Sequence, residues 1–230
     1  MQDQQAGIDW REGEVPVSTR FDDPYFSLED GLAETRHVFL SGNDLPARFR
    51  DGFHVAELGF GTGLNLLAAL GAWRGAGVTG RLCYSSFEAF PMTPADMRRA
   101  QARFAEIGGL AAELAPHWQG GAQEIHLPDL HFTLVVGDAR ETLRAWPHKA
   151  DAWFLDGFSP AKNPEMWQPE LMAEVARHTV RGGTAATYTA AGHVRRGLEA
   201  AGFSVTRVPG YGRKRHMTRA ILARETPGCA

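Results

Sequence analysis

Two spacings of apolar positions alternate along the chain. His54–Leu58, Leu82–Phe87, His131–Val136 and Asp151–Leu155 are short, nearly unbroken apolar runs. Runs of that length, bounded by Gly, Pro or Asp, predict strands buried on both faces, as in a parallel sheet. Between and after them, Leu64–Trp73, Thr93–Glu106, Gly109–His117 and residues 140–145, 165–179 and 190–201 carry the wider period of helices. Ala122–Leu127 turns through Pro128-Asp129 into the strand at His131, which predicts a hairpin. Thr184–Thr189 adds a fifth sheet strand, and Phe203–Val208 and Thr218–Ala223 read as closing antiparallel strands. Strands alternating with helices predict an α/β three-layer sandwich with a mostly parallel sheet.

Residues 1–50 break this rhythm. They hold Pro16, Pro24 and Pro46 and the aromatics Trp10, Phe21, Tyr25, Phe26 and Phe39, with no long helical period. They predict an N-terminal extension of short strands and turns packed on a main domain of residues 51–230. Two roles are open to it: covering an apolar edge of the sheet, or lining a site entrance with Phe21-Asp22-Asp23-Pro24-Tyr25-Phe26-Ser27.

Composition narrows the class. With 230 residues, 43% of them hydrophobic, the chain can bury a full core. No run approaches the roughly 20 apolar residues of a membrane span, and Met1-Gln2-Asp3-Gln4-Gln5 lacks the basic start of a secretory signal. Cys83 and Cys229 stand far apart without CxxC spacing, which argues against a disulfide scaffold or metal site and for a reducing cytoplasm. The net charge of −3 disfavours a non-catalytic nucleic-acid-binding module. Local basic clusters remain at Arg195-Arg196 and at Arg213-Lys214-Arg215-His216 with Arg219.

Candidate chemistry lies at the strand ends. Gly59-Phe60-Gly61-Thr62-Gly63 joins the first buried strand to a helix, the arrangement of a nucleotide-type site. Its GxGxG spacing differs from the GxGxxG of dinucleotide folds, which disfavours an NAD-linked oxidoreductase. Glu57, just before the loop, suits a ligand with an ammonium group and favours S-adenosylmethionine. Glu88 ends the second strand, where ribose hydroxyls are held in doubly wound folds. Asp138 follows the hairpin strand; it fits an adenine contact, a helix N-cap, or both. Asp156 closes the next strand and opens a Gly/Pro-punctuated loop running to Trp167, and ligands of open α/β sheets bind outside such strand ends.

Taken together, Glu57-Leu58-Gly59-Phe60-Gly61-Thr62-Gly63 and Asp156-Gly157-Phe158-Ser159-Pro160-Ala161-Lys162-Asn163-Pro164-Glu165-Met166-Trp167 resemble the methyltransferase domain of the bacterial MnmC family, which finishes 5-methylaminomethyl-2-thiouridine at the tRNA wobble position. The similarity continues through Gly31–Thr35, Gly182–Thr184, Val194–Leu198 and Gly210–Arg215, and so spans nearly the whole chain. It implies the Rossmann-like fold of class I S-adenosylmethionine-dependent methyltransferases. Glu57, Gly59, Phe60, Gly61, Gly63, Asn65, Glu88, Asp138, Asp156 and Gly157 would then hold the donor, with Asp156 orienting the amine or taking its proton. Phe26, Phe158 and Trp167 are candidates for stacking on an extruded base, Lys162 for holding a phosphate or bracing the loop, and Arg195, Arg196, Arg213, Lys214 and Arg215 for tRNA phosphates. The expected partner is tRNA at its anticodon region. The family's bifunctional members carry a C-terminal FAD-dependent oxidase for which this chain has no room. The resemblance therefore implies only the methyl transfer, as in stand-alone forms of the domain, and leaves open a separate FAD-dependent oxidase acting upstream. An N-methyltransferase of a small-molecule or protein amine is the alternative, with the same donor site and no tRNA dependence.

Overall fold

A computed structural model describes residues 5–11 and 14–223. Met1–Gln4 and Cys229, which enter the expectations about a leader and cysteine chemistry, lie outside the described residues. The extension opens with β1 (Ile8–Arg11), β2 (Val15–Ser18) and β3 (Asp23–Pro24), an antiparallel three-stranded sheet. Asp30 then caps α1 (Gly31–Thr35) by accepting from Ala33 N, and the chain continues through tight helical turns to Asn43.

The main sheet is built from β4 (His54–Leu58), β5 (Leu82–Glu88), β6 (Glu124–His126), β7 (Leu130–Val136), β8 (Ala150–Leu155), β9 (Thr179–Thr187), β10 (Phe203–Pro209) and β11 (His216–Leu222). Its order is β10-β11-β9-β8-β4-β5-β7-β6, and only β6 and β11 run against the rest. The connecting helices are α2 (Leu64–Gly75), α3 (Pro94–Gln101), α4 (Gly108–Gln119), α5 (Ala139–Ala145), α6 (Pro169–Arg177) and α7 (Gly192–Ala200).

Alternation along the central strands sends side chains into two cores. Val55, Tyr84, Phe132 and Phe154 meet Leu66, Leu67 and Leu70 of α2, Leu114 of α4, and Val38, Phe39 and Phe49 of the extension. On the other face Ala56, Leu58, Trp153 and Leu155 meet Leu143, Leu171, Val175, Val194 and Leu198 of α5, α6 and α7. The extension therefore completes one helical layer. Asn43, fully buried, donates to Trp153 O and accepts from Thr184, tying that layer to β8 and β9.

Three boundaries differ from the sequence expectation. The helix expected over Thr93–Glu106 ends at Gln101, with a separate 3₁₀ turn at Ala105–Ile107. The helix expected over 165–179 is a short 3₁₀ turn, Pro164–Trp167, followed by α6. Pro169 forces the break, because Gln168 before it takes an extended conformation (φ −68°, ψ 147°). The strand expected at Thr184 begins at Thr179 and absorbs Gly182-Gly183 as an irregularity in its pairing with β8.

Candidate active site

β4 and β8 are parallel neighbours, and the helices that follow them cover opposite faces of the sheet. The strand order reverses here, so the turns after both strands border a crevice. Gly59 lets them close up. Its φ is +87°, and a Cβ there would stand 2.0 Å from Asp156 O. Asp156 N donates to Leu58 O at 3.0 Å, which locks the two turns together.

A chain of polar side chains runs beneath this junction. Thr35 of α1 donates its hydroxyl to Asn65 Oδ1 at 2.9 Å. Asn65 Nδ2 donates to Glu57 Oε1 at 2.8 Å and to Asp156 Oδ2 at 2.7 Å. Ser86 on β5 donates to Glu57 Oε2 at 2.7 Å. Burial pushes Glu57 up to about 8, against the hydrogen bonds from Ser86 and Asn65, with the charge of Asp156 adding to the rise. Burial also lifts Asp156 to about 7; the Asn65 hydrogen bond opposes the shift, Glu34 adds to it and Lys214 opposes it. A carboxyl with that pKa is divided between acid and carboxylate near neutral pH.

Above the junction opens a cavity of about 1870 Å³, whose wall includes Gly59–Thr62, Glu88, Asp138, Asp156, Gly157, Tyr188 and, from the extension, Arg20, Phe21 and Asp23–Glu29. Glu88 accepts from Gly61 N at 3.1 Å and Phe90 N at 2.8 Å. Burial raises its pKa while those backbone N–H groups pull it down. Tyr188 donates its hydroxyl to Gly157 O at 2.7 Å, fixing its ring beside the loop. Lys214 Nζ lies 4.0 Å from that ring and pairs with Glu34 at 2.7 Å.

The residues named from sequence lie at different depths around the cavity. Glu57 has no accessible surface and is not part of the cavity wall; it anchors Asn65 and cannot meet a donor's ammonium directly. Asn65, expected to hold the donor, borders the cavity and bridges the two carboxyls. The Phe60 ring packs on Trp118 and Phe132 in the core. Asp138 caps α5 through Arg140 N at 2.9 Å and grips the Arg140 guanidinium, which fits the capping reading. Trp167 is 3% exposed and donates its indole N–H to Phe158 O, so it supports the loop and offers no face for stacking. Phe26 packs against Phe104 and also borders the cavity. Lys162 braces the loop to the extension, donating to Asp22 O with the Asp23 carboxylate 3.6 Å away.

Phe158 does reach the cavity, stacked on Phe21 with ring centroids 4.8 Å apart and edge-on to Tyr25. Arg20 lies over Phe90, 4.4 Å from its centroid. Phe21 and Tyr25 belong to the segment read as a possible entrance, whereas Arg20 and Phe90 carried no local signal. Of the basic clusters, Arg213 pairs with Glu29 and Lys214 with Glu34, both on the extension. Arg195, Arg207 and Arg215 share one neighbourhood: the pKa of His216 is lowered by partial burial first and then by these three guanidinium groups. Arg207 belongs to this patch and was not foreseen.

The wall suits S-adenosyl-L-methionine. The glycine turn Gly59-Phe60-Gly61 borders the cavity, Glu88 stands at the end of the second central strand, and the carboxyl groups of Asp156 and Glu34 lie in the same wall. The residues that would hold it are Gly59, Gly61, Glu88 and Gly157.

Comparison with known proteins agrees. The chain is 50% identical to the tRNA 5-methylaminomethyl-2-thiouridine biosynthesis bifunctional protein MnmC of Caulobacter sp. (strain K31), over 96% of this chain and 38% of that protein. It is 46% identical to the MnmC of Stutzerimonas stutzeri (strain A1501), over 97% of this chain and 36% of that one. The chain thus spans little more than a third of the length of these curated relatives. The crystal structure of MnmC2 from Aquifex aeolicus superposes with a TM-score of 0.74 at 26% identity, covering 100% of this chain and 74% of that one. Residues 104–223 match the family described as S-adenosyl-L-methionine-dependent methyltransferase, and the chain belongs to that family.

Proposed function

We propose that this chain methylates the primary amine of 5-aminomethyl-2-thiouridine at the wobble position of tRNA, giving 5-methylaminomethyl-2-thiouridine. The observation that carries the reading is the Asp156 carboxyl, raised to about 7, in the wall of the cavity that the glycine loop borders. The names of the relatives that align over nearly all of this chain supply the substrate.

S-adenosyl-L-methionine supplies a methyl group on a sulfonium, an electrophile that needs no further activation. The chain's residues have two tasks: to align the amine and to free its lone pair. Asn65 holds one oxygen of Asp156, so the carboxyl meets the incoming nitrogen in a set direction. Asp156 then takes a proton from the ammonium. The gap between its pKa of about 7 and an ordinary alkylammonium at about 10.4 is roughly three pH units, and desolvation in the cavity lowers the ammonium side of it. At the mouth, Phe21 and Phe158 offer ring faces to an extruded base. Arg195, Arg196, Arg207, Arg213 and Arg215 supply positive charge for the phosphates.

Incubating the chain with methyl-labelled donor and tRNA from cells lacking this modification tests the reading. The expected result is label in 5-methylaminomethyl-2-thiouridine. Label transferred only to a small amine or a protein would overturn the tRNA assignment.

A further inference from the structure

Lys214 does not sit as a phosphate-binding lysine would. Its loop, between β10 and β11, carries Arg213 outward, with that side chain 94% exposed. Lys214, which like Arg213 borders the cavity, instead lays its ammonium against the wall. Its ammonium lies 4.0 Å from the centroid of Tyr188 and 2.7 Å from Glu34 Oε1, and its charge is felt at Asp156. An aromatic face with a carboxylate beside it is the recognition chemistry of an alkylammonium. Both host groups are fixed: Tyr188 is held by its bond to Gly157 O, and Glu34 lies on α1 with its side chain 11% exposed. The guest is the movable part, a four-carbon stem with its side chain 43% exposed.

We propose that Glu34 and the Tyr188 ring form a binding seat for a primary alkylammonium, filled in this structure by the ammonium of Lys214, which the substrate's aminomethyl group displaces. Lys214 is thus a built-in competitor that keeps the two host groups paired until an amine arrives. The Glu34 carboxylate and the ring favour the charged amine, so the seat captures the ammonium and removal of its proton is left to Asp156. The assignment of the guest to the aminomethyl group rests on the tRNA reading above; the seat itself rests on geometry alone.

The chain's lysines are Lys149, Lys162 and Lys214, so labelling the lysine side-chain carbons gives a simple spectrum. The probe is ethylammonium chloride, with sodium chloride at equal concentration as control. The Lys214 signals, shifted by the Tyr188 ring current, should move towards free-lysine positions as ethylammonium is added and stay put with sodium. Lys214→Met should bind ethylammonium about three- to tenfold more tightly, the factor expected when one exposed cation–ring interaction and one ion pair no longer compete. Glu34→Gln should bind it more weakly than wild type. With tRNA, Lys214→Met should lower KM, whereas a phosphate-anchoring lysine would raise it. Lys214 signals indifferent to saturating ethylammonium, or a raised KM in Lys214→Met, would overturn the seat. If ethylammonium displaces Lys214 but wild type leaves tRNA unmethylated, the seat stands and the tRNA reading falls.

Discussion

The floor and the rim of the cavity are made differently. At the floor, Thr35, Asn65, Glu57, Ser86 and Asp156 form one connected set of hydrogen bonds, every one no longer than 2.9 Å. At the rim, long side chains of the β10–β11 loop and of the loop after β8 meet the extension in pairs: Arg213 with Glu29, Lys214 with Glu34, Lys162 with Asp23. Burial decides the energetics. A buried polar network makes removal of one member costly, because the partner is left unsatisfied, while exposed pairs contribute little to stability. The floor therefore holds geometry, and the rim is free to exchange its internal partners for a ligand.

If the floor holds the chemistry, the largest effect belongs to Asp156. Asp156→Asn keeps the shape and the contact with Asn65 but removes the proton acceptor. Single-turnover methyl transfer should fall roughly 10²- to 10⁴-fold, with donor affinity, measured separately by calorimetry, largely kept. Unchanged turnover would remove Asp156 from the chemistry. Next comes Gly59→Ala. The new Cβ would meet Asp156 O at 2.0 Å in a backbone region that disfavours side chains. Strain and overpacking should together cost about 2–5 kcal/mol in urea unfolding. A variant as stable as wild type would mean that the two turns can separate freely.

The proton balance of the floor gives a subtler test. Glu57 and Asp156 have folded pKa values of about 8 and about 7, above their ordinary values of 4.5 and 3.8. Between those limits the folded state binds more protons than the unfolded one. Their contribution to stability is present below about pH 4 and is lost as pH rises through 7 and then 8. Glu57→Gln should flatten that decline in a series of denaturation midpoints from about pH 5 to about pH 8.5. A slope unchanged by the substitution would mean that Glu57 is charged throughout.

The two regions also differed in how legible they were. The strand ends announced themselves: a run of buried apolar residues closed by Glu57, Glu88 or Asp156 reports sheet position through its periodicity, and glycines report the turns. The roles at those ends were harder to read. Glu57 looked like a ligand for an ammonium because sequence gives spacing along the chain and no depth, and its lack of accessible surface depends on how α2 and β5 close over it. Trp167 looked like a stacking face for the same reason. At the rim, pairing across more than 170 residues, such as Lys214 with Glu34, leaves no local trace. Arg20 and Phe90 come together only because the extension folds back over the β5 turn.

The smallest effects should come from the outermost charges, and they separate stability from recognition. Arg213→Ala with Arg215→Ala should leave the denaturation midpoint within error, since Arg213 is almost wholly exposed and its pair with Glu29 is screened by salt. The same pair of substitutions should lower the dependence of tRNA affinity on salt. Every phosphate that the protein no longer neutralises reduces the slope of log affinity against log salt by about 0.7 on a single strand and about 0.9 on a duplex. Affinity at low salt falls accordingly, while the rate of methyl transfer at saturating tRNA is unchanged, because neither arginine touches the floor. If the rate at saturation dropped with the slope, the rim would be positioning the amine as well as holding the RNA, and the division between the two regions would have to be redrawn with the β10–β11 loop on the side of the chemistry.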